Sequence, residues 1–330
     1  MKTCVMKIII ALGMAICINK HVEAMPEGAI ESDAKKQALI QLRGQYAKNP
    51  PFRAWSKDTA EPFEKCRELL GEDGVFSDFS EKERKIVAGN VVQSRESGPQ
   101  AELSDLLRKA FDRIWQLAEP YRNGAGDAEL KKRIYRAVIH YGNLESKRPN
   151  VWFRFHDSCF AIPTAAINTY FCFFPDMLAV EAGTGKDPLT AEANTMLRTI
   201  AYQAWTTPAR GDETDNNVVS VERFRKNGGW VGGNALTYRP ALQAAIMMDS
   251  VPMMDVMASV GKGAISMVSQ TTYDDAFWTE GMTADGAGWG HGMQCLIWGY
   301  PIQGTQSALD IMGSLKGTPW ARDIARPQLD

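Results

Sequence analysis

The chain has 330 residues, 45% of them hydrophobic and 23% charged, and carries a formal net charge of −2. A chain of this size and composition can bury a sizeable core and is not a disordered tail. The near-neutral balance leaves no electrostatic footprint for nucleic acid, which draws on clustered Lys and Arg and a basic net charge. A local basic cleft for an acidic sugar polymer is still compatible with it.

Residues 1–24 read as a signal peptide. Lys2 and Lys7 supply the positive start, residues 8–18 are apolar, and Val22-Glu23-Ala24 offers a small-residue exit. The apolar run is too short to cross a hydrocarbon core of roughly 30 Å as a helix, so no stable membrane insertion is expected once it is removed. The mature protein is expected to begin near Met25 and to be secreted or periplasmic. Lipid attachment at Cys17 is disfavoured by the large Ile16 before it. No later stretch is long and apolar enough to span a bilayer.

From about Ser32 to Tyr141 helix periodicity dominates. Over residues 101–119 the apolar positions Leu103, Leu106, Leu107, Ala110, Phe111, Ile114, Trp115 and Ala118 recur every three or four residues and make one buried stripe. Pro120 stands where that helix should stop. The next helix, 127–141, carries Leu130, Ile134, Ala137, Val138 and Tyr141 on one side, with Asp127 as its cap. Further helices are expected over 164–181, 190–205, 238–248, 253–269 and 305–315, and no run of alternating strands is expected. The fold class is therefore all-α. Antiparallel helix pairs of this kind build a bundle, a superhelix or a closed ring of hairpins, and periodicity does not choose among them.

Four cysteines lie beyond the leader: Cys66, Cys159, Cys172 and Cys295, none in CxxC spacing, which gives a zinc or thioredoxin-like site no support. If Cys159 and Cys172 share a helix they lie roughly 20 Å apart, too far to bridge. All four are read as core cysteines.

Four connections rich in Gly, Asn, Pro and aromatics deserve a chemical search, because sites sit on loops held by rigid scaffolds: residues 148–163, 206–217, 227–234 and 273–304. The densest, WTEGMTADGAGWGHGMQCLIWGYPIQG over 278–304, holds seven Gly and three Trp together with Glu280, Asp285, His291 and Tyr300. Exposed flat rings beside a titratable imidazole suit a sugar site, since such rings stack on the apolar faces of pyranoses. The bland alternative is a structural loop whose tryptophans pack inward. The stretch NGGWVGGN over 227–234 precedes an expected helix, and an Asn in such a loop is more often a turn residue than a catalytic one. The aromatic run NVWFRF from Asn150 is, by the same reasoning, more often core.

The stretch DGAGWGHGMQCLIWGY, from Asp285 to Tyr300, resembles the catalytic His and Tyr segment of polysaccharide lyase family 8, the chondroitin AC and hyaluronate lyases. There a His-Gly pair is followed by a Tyr nine residues after the His, as with His291-Gly292 and Tyr300 here. VGGN is similar to the place where those enzymes carry a catalytic Asn, which makes Asn234 its counterpart. Asn150-Val151-Trp152-Phe153 resembles the family's aromatic patch that binds the sugar chain.

The resemblance spans roughly residues 150–315. It implies an α/α toroid built from helical hairpins, here incomplete or compact over residues 25–330, without the C-terminal β-sheet domains and distal arginines of the family; Arg322 and Arg326, four apart, match no clear motif there. It also implies an anionic, uronate-containing polysaccharide as partner, catalysis by Asn234, His291 and Tyr300, sugar stacking on Trp152, Phe153, Trp230, Trp289 and Trp298, and no cofactor or metal.

The residue types suit that chemistry. β-Elimination at C4 of a uronate starts from the C5 proton, which is far too weakly acidic while the neighbouring carboxylate is charged. An amide such as Asn234 can donate hydrogen bonds to that carboxylate. Tyr300 can take the proton and return it to the leaving oxygen, while His291 either acts as base in another geometry or lowers the tyrosine's pKa. Two other classes compete. One is a glycoside hydrolase on the same ring, using Glu280 and Asp285 as acid and base. The other is a non-catalytic glycan-binding protein or truncated lyase that keeps the tryptophans without turnover.

Overall fold

The computed structural model describes residues 33–49, 62–81, 83, 99–147, 157–206, 238–266, 281–282, 288–290, 294–295 and 300–322. These residues are mostly helical, in keeping with the all-α expectation. In chain order the helices are α1 (Asp33–Lys48), α2 (Phe63–Leu69), α3 (Pro99–Arg122), α4 (Ala128–Ser146), α5 (Ile162–Cys172), α6 (Phe174–Glu181), α7 (Pro188–Thr206), α8 (Tyr238–Met247), α9 (Val251–Ser266) and α10 (Tyr300–Ser314). Three short strands, β1 (Gly281–Met282), β2 (Gly288–Gly290) and β3 (Gln294–Cys295), lie between α9 and α10. Among the described residues no helix is long and apolar enough to cross a membrane. The proposed leader, 1–24, lies outside the described residues.

The chain divides into two compact units. One comprises residues 40–208 and 239–248, the other 1–39, 209–238 and 249–330. In the first, α3 packs on α4 and α5, and α7 packs on α4, α5 and α6. The stripe read from the sequence is the core of this unit, except that Trp115 is only partly buried: Leu107, Ala110, Phe111, Ile114 and Ala118 of α3, with Ile134, Ala137, Val138 and Tyr141 of α4, are all inaccessible to solvent. Asp127 caps α4 as expected, accepting from the backbone N–H groups of Glu129 and Leu130 at 2.8 and 3.2 Å. Two of the four N–H groups left over at that terminus are thereby satisfied.

Three of the departures from the expected helix boundaries have a proline as their cause. The helix expected to stop at Pro120 runs on to Arg122. Only the Gln116 carbonyl loses a helical donor there, and the last turn is held from outside: the Arg122 guanidinium donates to the carbonyls of Tyr46 and Ala47, at 3.0 Å each. The helix expected over 164–181 is instead two, broken at Phe173, because Pro175 offers no N–H to the Phe171 carbonyl and its ring crowds it. Upstream, α5 begins earlier than expected and is preceded by a π-helical turn, Asp157–Ala161. Pro163 stands in the same relation to Cys159, and the wider turn relieves that clash.

Gly142 of α4 leaves room for the Met196 side chain of α7. A side chain at Gly142 would lie 2.2 Å from Cγ of Met196. Ahead of α4, Gly74 takes φ of +83° against the backbone of Arg136 and Ala137, a turn only glycine makes freely. Beside it, Phe76, Phe79 and Tyr141 form an aromatic cluster. Arg113, 1% exposed, lies over the rings of Phe76 and Phe79 and donates to both Asp78 oxygens at 2.8 Å.

In the second unit α9 packs on α10, with Gly261 placed so that a side chain there would meet Ile311 at 3.2 Å. Asp255 of α9 accepts from Lys35 of the first turn of α1 and from the indole of the buried Trp320 at 2.8 Å. This ties both terminal segments of the described chain to one carboxylate. Cys66, Cys159 and Cys172 are buried, as expected of core cysteines. Burial is the main cause that pushes the Cys172 thiol far above its ordinary value, although Arg122 lies beside it; the side chain of Cys295 is not described.

Candidate functional site

The sequence predicts no run of alternating strands, and among the described residues the glycine-rich segment contributes only a small antiparallel meander of two- and three-residue strands, β1-β2-β3. Glycines leave little side-chain periodicity to read, so two- and three-residue strands do not show in the sequence. The register pairs Gly281 with Trp289 and Trp289 with Cys295. Cross-strand partners share one face of a sheet, so Trp289 stands between a glycine and a cysteine in its row. The second pairing of β2 with β3 is Gly290 with Gln294, and residues 291–293 link those strands.

Tyr300 is the first residue of α10, rather than part of a loop continuing to Gly304, and the helix starts five residues before the expected Thr305. Pro301 follows it in the first turn, where a missing N–H costs nothing. Strand β2 packs on α10, so the backbone positions of Trp289 and Tyr300 belong to one compact piece of the second unit. Asn234, His291, Trp152, Phe153, Trp230 and Trp298 lie outside the described residues, as do Glu280 and Asp285. Of the expected catalytic residues, the structure thus describes Tyr300 alone, and of the stacking residues Trp289 alone, both by backbone.

Two charged clusters in the first unit were not singled out from the sequence. The first centres on Glu181 at the end of α6. Arg43 donates to its Oε2 at 2.7 Å, and Arg198 and the Tyr170 hydroxyl to its Oε1 at 3.0 and 2.6 Å. Arg43 also donates to Tyr170 at 2.5 Å and lies over the Phe174 ring. Burial, opposed by Arg43, pushes the Tyr170 hydroxyl well above its ordinary value, so Tyr170 stays protonated and bridges the two charges as a neutral donor.

The second cluster surrounds the π turn that follows the aromatic run. Asp157, 6% exposed, pairs with Nε of Arg108 at 3.3 Å, and the Ser158 hydroxyl donates to the buried Glu145 at 3.1 Å. Asp112, one helical turn beyond Arg108 on α3, is partly buried, and burial together with the Asp157 charge raises its carboxyl to about 6 against the pull of Arg108. The i, i+4 spacing of Arg108 and Asp112 was visible, but nothing in the sequence indicated that a third charged residue from a distant turn would meet them. π-Helical turns recur at functional sites, which makes this turn, four residues after Phe153, the best-described neighbour of the aromatic run.

Among the described residues no group of three His, Cys, Asp or Glu side chains is placed to hold a metal ion. Compared with protein-family models and with curated proteins, the chain matches none.

Proposed function

We propose that the chain is an exported polysaccharide lyase that cleaves uronic-acid-containing glycosaminoglycans, chondroitin sulfate or hyaluronan, by β-elimination on an α/α toroid of helical hairpins. The observation that carries the reading is the continuity of the motif segment. The last strand of the meander ends at Cys295, five positions before the helix that starts at Tyr300, and β2, which holds Trp289, packs on that helix. Tyr300 is the first residue of a helix of 15 residues, nine positions after His291 in the chain. The helix-on-helix packing of α3, α4, α5 and α7 suits a toroid built from hairpins.

In this reading Asn234 donates to the uronate carboxylate and stabilises the enolate-like charge that develops as the C5–H bond breaks. Tyr300 takes the C5 proton. The electron pair forms the C4–C5 double bond, the C4–O bond breaks, and the leaving oxygen recovers the proton from Tyr300. His291 assists, and Trp152, Phe153, Trp230, Trp289 and Trp298 stack on the sugar chain. The products are a 4,5-unsaturated uronate end and a shortened polymer.

The deciding experiment incubates the protein with chondroitin sulfates, hyaluronan and alginate and follows the ultraviolet absorbance of the unsaturated uronate. Growth of that absorbance with a glycosaminoglycan supports the lyase. Saturated reducing ends would instead assign a hydrolase using Glu280 and Asp285, and binding without cleavage would assign a glycan-binding protein.

A further inference from the structure

Tyr300 begins α10, and the buried residues described on that helix, Ser307, Ala308 and Ile311, lie further along it. Gly261 of α9 faces one of them. A Cβ at Gly261 would lie 3.2 Å from Cγ2 of Ile311 and 3.7 Å from its Cβ. Beyond the end of α10, Leu315 and Trp320 are inaccessible to solvent, and the segment Pro319–Arg322 packs on α9, where Asp255 accepts from the Trp320 indole at 2.8 Å. The C-terminal end of α10 therefore lies by the N-terminal half of α9, and the two helices run antiparallel.

A side chain at 261 would stand too close to Ile311 to leave both helices where they are. Ile311 is fully buried and β-branched on a helix, where its χ1 is confined, so its methyl does not swing aside. Restoring an ordinary carbon–carbon separation would push α10 away by about 0.4 Å at that point. With the buried Leu315 and Trp320 as pivot, the shift grows toward the other end of the helix. At a rise of 1.5 Å per residue Ile311 lies ~6 Å and Tyr300 ~22 Å from Leu315, so the backbone of Tyr300 would move by about 1.5 Å.

We propose that Gly261 is a positioning residue for Tyr300: its bare Cα lets α10 seat against α9 at Ile311, and that seating fixes where the first residue of α10 stands. The inference rests on the lyase reading of Tyr300. A proton acceptor works only within hydrogen-bond reach of the proton it takes, and a misplacement of about 1 Å from a remote change can cost about 10²-fold in rate. In that reading sugar affinity is spread over several aromatic side chains, so binding tolerates the same shift better than proton transfer does.

Steady-state kinetics of the full chain on chondroitin sulfate and hyaluronan, with the thermal unfolding midpoint measured alongside, test this. In Gly261→Ala kcat should fall about 10²-fold while KM stays within about threefold. Alanine is the better helix former, so the fold should hold. Adding Ile311→Leu deletes the methyl that the new Cβ would meet and keeps the side-chain volume. The double variant should recover kcat roughly tenfold, and Ile311→Leu alone should stay near the parent. Should Gly261→Ala fold poorly, Trp320→Phe keeps a ring but loses the donor to Asp255; it loosens the pivot and should lower kcat by a smaller factor at unchanged KM. A parent that forms no unsaturated product would sink the lyase reading and this role with it. With an active parent, the positioning role alone is overturned by a Gly261→Ala variant that turns over at the parent rate, loses kcat and affinity alike, or is not rescued by Ile311→Leu, and by parent kcat in Trp320→Phe.

Discussion

Replacing Arg113 by Met tests a buried charged side chain of the first unit while keeping the length of its stem. The guanidinium makes two charge-assisted bonds to Asp78, both 2.8 Å, and lies 4.5 and 5.0 Å from the ring centres of Phe79 and Phe76. Hydrogen bonds to charged groups contribute about 1.5–3 kcal/mol and a cation–π contact about 0.5–2 kcal/mol. The Asp78 side chain is 36% exposed, so water screens the pair and rehydrates the carboxylate left behind, which reduces the loss. Methionine also recovers some packing against the two rings. The net destabilisation should be about 2 kcal/mol at neutral pH, the ion-pair share having been discounted for that exposure.

The pH dependence carries a sign that geometry alone does not. The hydrogen bond from Arg113 is the main reason that Asp78 lies below the ordinary 3.8, a group with a depressed folded pKa. Its stabilisation is present above that ordinary value and is lost as pH falls through the folded pKa. The gap between parent and Arg113→Met should therefore narrow on acidification. Urea unfolding at about pH 7 and about pH 3, with the midpoint shift converted through the denaturant slope, measures both quantities. A neutral-pH difference below about 0.5 kcal/mol, or a gap that widens in acid, would refute the reasoning.

Four other outcomes are expected. Tyr300→Phe deletes the only titratable atom of the residue, so oligosaccharide affinity should survive while unsaturated product disappears; His291→Ala should be severely impaired yet retain some turnover if it tunes the tyrosine. Parent-rate elimination by Tyr300→Phe, read in the ultraviolet assay, would remove it from proton transfer. Asn234→Ala should lower turnover roughly 10²–10³-fold, the scale of one lost preorganised donor, and near-normal rates would exclude it. Gly142→Ala should destabilise by about 1–3 kcal/mol through overpacking against Met196, with partial recovery in a Gly142→Ala, Met196→Ala double variant, both read as unfolding midpoints. Because the Asp112 carboxyl is raised to about 6, stability is present below its unfolded value and lost as pH rises through 6; Asp112→Asn should match the parent near pH 4 and exceed it by about 1–3 kcal/mol above pH 7, checked by denaturation at both pH values.

Sequence alone determined the features that depend on neighbours along the chain. The stripe of Leu107, Phe111 and Ile114 marks α3 because residues three and four apart share a helix face, and Asp127 caps α4 because its carboxylate reaches the two N–H groups that follow. That Cys159 and Cys172 do not bridge each other follows equally from their thirteen-residue separation along one helical stretch. For the site, the motif residues from Asp285 to Tyr300 stood out by composition and spacing, but not the strand pairing that seats Trp289 between Gly281 and Cys295. That pairing depends on register between short segments with almost no side-chain pattern. The π turn, the break at Phe173 and the pairing of Arg108 with Asp157 were decided by tertiary structure. A proline announces that a helix must adjust, but packing selects the widened turn or the break, and a carboxyl acquires its charge state from burial and from partners that only folding brings within reach.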